Sequence, residues 1–136
     1  MNAGRLPLVG VIVIVVAAIL AGIVISGSPA EQRRLRADDR RVTDLQRVAS
    51  ALQIYYRSTR KLPPDLATLQ NGWASAEVPR DPDTGADYDY EVGGASSYRL
   101  CAEFARDSRP NAQPEFWSHG EGRHCYTLDY SELVLD

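Results

Sequence analysis

The sequence predicts an α+β fold: an N-terminal transmembrane helix, then a long amphipathic helix packed on a small antiparallel sheet of about three strands. Three observations carry this expectation. Leu8 to Ile25 is a run of 18 residues without a charge. From Val42 to Tyr56, apolar residues recur in steps of three and four, the spacing of one helix face. From Arg80 onward the period drops to two, the spacing of strands.

The apolar run comes first. At 1.5 Å per helical residue it spans about 27 Å, close to the roughly 30 Å hydrocarbon core of a bilayer. A signal peptide is the competing reading, because Ser28-Pro29-Ala30 resembles a small-residue cleavage site and Arg5 supplies a minimal positive flank. Signal h-regions are usually about 7 to 15 residues, shorter than this run, so an anchor is favoured. Ala18 and Gly22, four apart, form a small-xxx-small step, and Gly10 adds a further small position. Such residues let a second helix approach closely, although Gly and Ala are also common in membrane helices without that role.

Residues 1–27 are thus the anchor, 28–61 a basic stem and amphipathic helix, and 62–136 a short helix and sheet. The last part forms one globular domain with the end of the helix. Ser28-Pro29-Ala30-Glu31 reads as a capping-box start, with proline at the first helical position. The stripe Val42, Leu45, Val48/Ala49, Leu52 and Tyr55/Tyr56 gives the helix a face to bury, whereas residues 31–41 read as a polar stem. Pro63-Pro64 stops the helix, a short turn follows around Asp65 to Leu69, and Asn71-Gly72 ends it.

Charge is uneven along the chain. Residues 28–61 carry nine Arg and Lys against four acids, and residues 62–136 carry five Arg against fourteen acids. A basic stem suits anionic lipid headgroups, and an ordinary solvated helix face explains it equally well. The acidic remainder excludes nucleic acid as a partner, since it would repel phosphates. Orientation is contested. The arginines that follow the apolar run place the domain in the cytoplasm by the positive-inside rule. The even pair Cys101 and Cys125 points instead to an oxidising, extracytoplasmic setting.

In the sheet region, Asp81-Pro82-Asp83-Thr84-Gly85 is a turn. Tyr88, Tyr90 and Val92 then alternate with acids as a half-buried strand. Gly93 to Ser96 reverses the chain into a strand with Tyr98, Leu100, Ala102 and Phe104 on one face. A third strand runs from about His124 to Tyr130. Parity sets Cys101 and Cys125 on the same side of the sheet, away from the helix. That permits a disulfide without establishing that the two strands are neighbours, and two free thiols remain the alternative.

The order of these motifs is similar to that of the type II secretion major pseudopilins. A membrane helix runs into Asp44-Leu45-Gln46 and Ala51-Leu52 to Tyr55-Tyr56. Leu62-Pro63, Leu66 with Leu69, and Asp81-Pro82-Asp83-Thr84-Gly85 before Tyr88 and Tyr90 follow. The end of the chain (Tyr98 to Ala102, Trp117-Ser118-His119, Gly122 to Tyr126) resembles a group of uncharacterised bacterial single-pass membrane proteins. The resemblance implies a long helix on a short antiparallel sheet. One departure bears on function. Pilin-type chains are processed after a glycine and carry a glutamate at the fifth mature position. Here Val9 stands at that place after Gly4, and the span holds no carboxylate. This places the domain on a non-pilin anchor.

Candidate sites are few. Cys101, His119, His124 and Cys125 have the right count for zinc, but their spacing fits no known pattern and His124-Cys125 would point to opposite faces. Asp81, Asp83, Asp87 and Asp89, with Glu91, are hard oxygen donors suited to calcium, which major pseudopilins bind. An EF-hand is excluded by Ala86 and Val92 where glycine and glutamate belong. His119 and His124 have no nucleophile in a recognisable motif and there is no Gly-rich phosphate loop, so no enzyme is expected and no cofactor beyond calcium. Trp73, Phe116 and Trp117 are candidate docking aromatics, or caps on the core. The expected function is a non-catalytic accessory subunit of a bacterial membrane complex (secretion, respiratory or photosynthetic), in the inner membrane with a periplasmic head. Its partners would be lipid and membrane-protein subunits. A pseudopilin-like component and a calcium- or ligand-sensing head are the alternatives.

Overall fold

The computed structural model describes residues 5–26, 28–70 and 77–131. Its elements are α1 (Arg5–Ser26), α2 (Pro29–Thr59), α3 (Ala67–Gln70), β1 (Asp89–Val92), β2 (Ser97–Phe104) and β3 (Gly122–Asp129), with a 3-10 turn at Glu115–Trp117. Helices precede a three-stranded antiparallel sheet of order β1-β2-β3, the expected α+β architecture. The chain divides into two compact units, Met1–Arg34 and Leu35–Asp136, with the division inside α2.

In the first unit α1 is apolar on all sides, and every described side chain from Pro7 to Ile25 is exposed. The start of α2 follows its sequence signal: Ser28 Oγ accepts from the Glu31 amide at 3.2 Å, satisfying one of the helix's orphan donors.

In the second unit α2 supplies the floor of the core. Val42, Leu45, Val48 and Leu52 are fully buried against Tyr98, Leu100 and Phe104 of β2, Tyr126 of β3, and Leu66 and Leu69 around α3. Burial of each such aliphatic side chain contributes about 1.5 to 3 kcal/mol. The helix ends at Thr59, ahead of Pro63-Pro64. Arg60 takes a left-handed φ of 58° and donates its amide to the Tyr56 carbonyl at 2.8 Å. Asp65 caps the short helix through the Thr68 amide at 2.8 Å. Its expected end at Asn71-Gly72 lies outside the described residues.

Tyrosines fill the gap between helix and sheet, and each buried hydroxyl has a partner. Tyr88 donates to Asp44 Oδ2 at 3.2 Å, Tyr90 to the Pro63 carbonyl at 3.0 Å, and Tyr130 to the Ala49 carbonyl at 2.7 Å. Tyr98 and Tyr130 share a hydrogen bond between their hydroxyls. Burial pushes the Tyr88, Tyr90 and Tyr98 phenols up, Tyr90 to about 12, so they stay protonated at physiological pH.

Two expectations are corrected. The polar stem does not extend to residue 41, because Ala37, Asp38 and Arg41 are buried. Charge pattern alone hides this, since the two ions satisfy one another and distant loops. Val92 is 48% exposed despite its place in the alternation. It is the last residue of an edge strand, with a sheet neighbour on one side only, and that neighbour, Tyr98, is fully buried, so the cover at this register ends between β2 and β1.

Candidate functional site

The most built polar site joins α2 to the turn before β1. Arg41 donates from Nε to Asp81 Oδ2 at 2.6 Å, from Nη2 to Asp83 Oδ2 at 2.7 Å, and from Nη1 to Asp38 Oδ1 at 2.8 Å. Asp38 in turn accepts from the Ala105 and Arg106 amides, at 3.0 and 3.1 Å, as the chain leaves β2. Asp81 Oδ1 also accepts from the Asp83 and Thr84 amides, both at 2.9 Å, which closes the turn. Gly85 completes it with a φ of 69°, where a side chain would be strained. Three carboxylates thus face one guanidinium, and four backbone N–H groups offset the surplus negative charge. Burial alone would raise the Asp81 carboxyl. The Arg41 guanidinium and the two amides outweigh it and hold the group down at about 2. For Arg41 burial opposes the charge, and its three carboxylate partners reverse that and raise the group above its ordinary value.

This arrangement gives the aspartates of the calcium expectation arginine partners. Arg41 stands between Asp81 and Asp83, where a cation would sit. Asp87 pairs with Arg80 at 3.0 Å and Asp89 with Arg123 at 3.1 Å on the exposed side. Among the described residues no three His, Cys, Asp or Glu side chains gather as a metal-holding group. A calcium ion needs about six to eight oxygens around one point, whereas here Asp81 and Asp83 share Arg41 and Asp87 and Asp89 each face a different arginine.

The cysteines are bonded to one another. Cys101 and Cys125 are directly opposed on β2 and β3, and their Cα atoms lie 4.0 Å apart. Parity is borne out: both leave the face opposite Leu100 and Tyr126. Cys101 is nevertheless buried, at the base of a shallow pocket of about 210 Å³ that Asp81, Thr84 and Ala86 also line. Around the bridge the outer face is a charge lattice. Arg99 pairs with Glu91 opposite it, and Arg123 reaches across to Asp89.

Bonded sulfurs remove two of the four zinc candidates. The third, His119, stacks on Phe104 with ring centroids 3.6 Å apart and planes 15° from parallel. Its burial pushes the imidazole down despite the nearby Asp38 charge, so the neutral ring is favoured. His124 lies on the helix-facing side, edge-on to Tyr126 at 4.8 Å.

Of the docking aromatics, Trp117 packs on the core 4.8 Å from the Tyr126 ring, and its carbonyl accepts the Tyr126 hydroxyl at 2.9 Å. Phe116 is 53% exposed, and Trp73 lies outside the described residues. Gly10, Ala18 and Gly22 are all exposed on α1, and a Cβ added at either glycine meets nothing within 4 Å. They are open to an approaching helix. By length and composition α1 is able to cross a membrane.

Sequence reasoning missed the Asp38–Arg41 pair and Asp44, all buried on α2. The i,i+3 spacing of Asp38 and Arg41 is a local signal for such a pair, but nothing local marks it as buried. No family model, curated protein or solved structure matches this chain.

Proposed function

We propose that this protein is a single-pass membrane protein whose head serves as a non-catalytic accessory subunit of a larger bacterial membrane complex. The observation that carries the reading is α1: a helix of 22 residues with no charge from Leu8 to Ile25 and every described side chain exposed from Pro7 to Ile25. Such a surface requires lipid or other helices around it. The open small-residue positions Gly10, Ala18 and Gly22 support helix packing in that environment. The disulfide supports an extracytoplasmic, periplasmic head, against the arginines of the stem. The buried charges of the head, Asp38, Arg41 and Asp44, are each held by hydrogen bonds, which supports a structural role for them over chemistry.

A pseudopilin-like component of a secretion or pilus machine is the second reading, favoured by the helix-then-antiparallel-sheet order. One experiment separates the two. Native membranes are solubilised gently, the chain is purified with its companions, and its intact mass is measured. A stoichiometric large complex with the N-terminus unprocessed supports the accessory subunit. A chain trimmed after Gly4 beside secretion proteins overturns it, and a chain recovered alone removes the subunit role.

A further inference from the structure

We propose that the outer edge of β3 is a self-association surface, where β3 of a second copy of this chain adds antiparallel to form a six-stranded sheet. The backbone directions come first. The 4.0 Å Cα separation of Cys101 and Cys125 marks a non-hydrogen-bonded pair, since hydrogen-bonded pairs stand about 5.5 Å apart. The Tyr130 amide bonds the Ser96 carbonyl at 3.0 Å, which assigns the even-numbered residues to the β2 ladder. Arg123, Cys125, Thr127 and Asp129 therefore direct their N–H and C=O groups away from β2. Among the described residues no other backbone group pairs with them.

Edges left free in this way are normally blunted by shortness, proline, lysine or a bulge. β1, at the other side of the sheet, is four residues long. β3 has eight residues and none of those devices, and its register against β2 is unbroken.

The sequence of β3 then selects its own partner. Laid antiparallel on itself about Tyr126, it sets Arg123 opposite Asp129 of the second copy, and Cys125 opposite Thr127. His124 faces Leu128, and Tyr126 faces Tyr126. Both charged residues meet an opposite charge, twice by symmetry, with about eight backbone hydrogen bonds between the strands. Moving the register by two residues one way brings Asp129 against Glu121, a like charge; the other way leaves Arg123 facing Ser131. In the single copy the exposed Arg123 side chain reaches the other way, over β2 to Asp89 and Glu91 of β1, so pairing with Asp129 of a second copy exchanges these surface partners for one across the new strand pair. Phe116 tilts over Tyr126 with centroids 6.0 Å apart and offers exposed apolar surface beside the same strand.

Amide hydrogen exchange of the full chain in micelles, followed by NMR over a range of protein-to-detergent ratios, tests this. The Cys125 and Thr127 amides are expected to be protected at least ~10-fold more at high ratio than at low ratio. Thr127→Pro should abolish that dependence at Cys125 while Tyr126 and Leu128, which bond β2, keep their protection. Asp129→Arg should weaken the dependence in the same direction, by placing two arginines opposite each other. Free exchange of Cys125 and Thr127 at every ratio overturns the proposal. So does protection that ignores concentration, which would mean the chain covers its own edge. A dimer that forms while both amides stay open also overturns it, assigning association to α1.

Discussion

The two long helices carry opposite lessons. α1 has no charge from Leu8 to Ile25 and buries none of its described side chains from Pro7 to Ile25, whereas α2 is rich in charge and fully buries Val42, Leu45, Val48 and Leu52. Hydrophobicity alone does not produce a core. A stripe facing one way does, because only a sided helix can be covered by a sheet on that side. A helix without sides needs surroundings that are themselves apolar, and a bilayer is one such solvent. The charges of α2 follow the same rule: Asp38, Arg41 and Asp44 sit on or beside the stripe and are buried with it, each held by hydrogen bonds.

The contrast is broken most severely at Arg41. Arg41→Ala leaves Asp38 and Asp81 facing each other without their cation and is expected to destabilise the head by about 3 to 5 kcal/mol. Chemical denaturation of the full chain in micelles measures it. Leu45→Ala should remove about 2 to 4 kcal/mol through the cavity it leaves, and Ile14→Ala in α1 should leave that transition unmoved. An equal loss from both would mean that the two helices share a core. Replacing both cysteines by serine is expected to remove about 2 to 3 kcal/mol, since the bridge closes a loop across a separation of 24 residues. The smallest effect is acid sensitivity. Asp81 titrates at about 2 when folded, below its unfolded value near about 4, so its contribution is complete above pH 4 and lost as pH falls toward 2. A carboxyl-carbon NMR titration of Asp81 with its midpoint near 4 would contradict the pairing with Arg41.

Periodicity made most of the architecture legible. The change from steps of three and four to steps of two located α2 and the strands, and parity put both cysteines on one face. Adjacency of β2 and β3, and hence the bond itself, needed three dimensions. The aspartates of the 81–89 segment show why the candidate site was less legible. Their spacing alone resembles a cation site, and the cations supplied are arginines: Arg41, 40 residues before Asp81, for Asp81 and Asp83, and Arg80 and Arg123 for Asp87 and Asp89. Val92 and the 31–41 stretch misled for a related reason: a repeating pattern reports which side of an element a residue is on, and not how far the covering layer extends.

The Asp38–Arg41 junction also has a consequence for how the head moves. It holds three separate stretches of chain through two side chains: α2, the turn at Asp81 to Gly85, and the exit from β2 at Ala105 and Arg106. If the turn lifts away, Arg41 loses two partners, and Asp38 is left balancing a guanidinium exposed to water. If the β2 exit lifts, Asp38 loses its two amides. Neither stretch can fray cheaply by itself, so the turn before β1 and the exit from β2, neighbours at the open end of the antiparallel hairpin, are expected to open as one cooperative unit, in step with the first buried turn of α2.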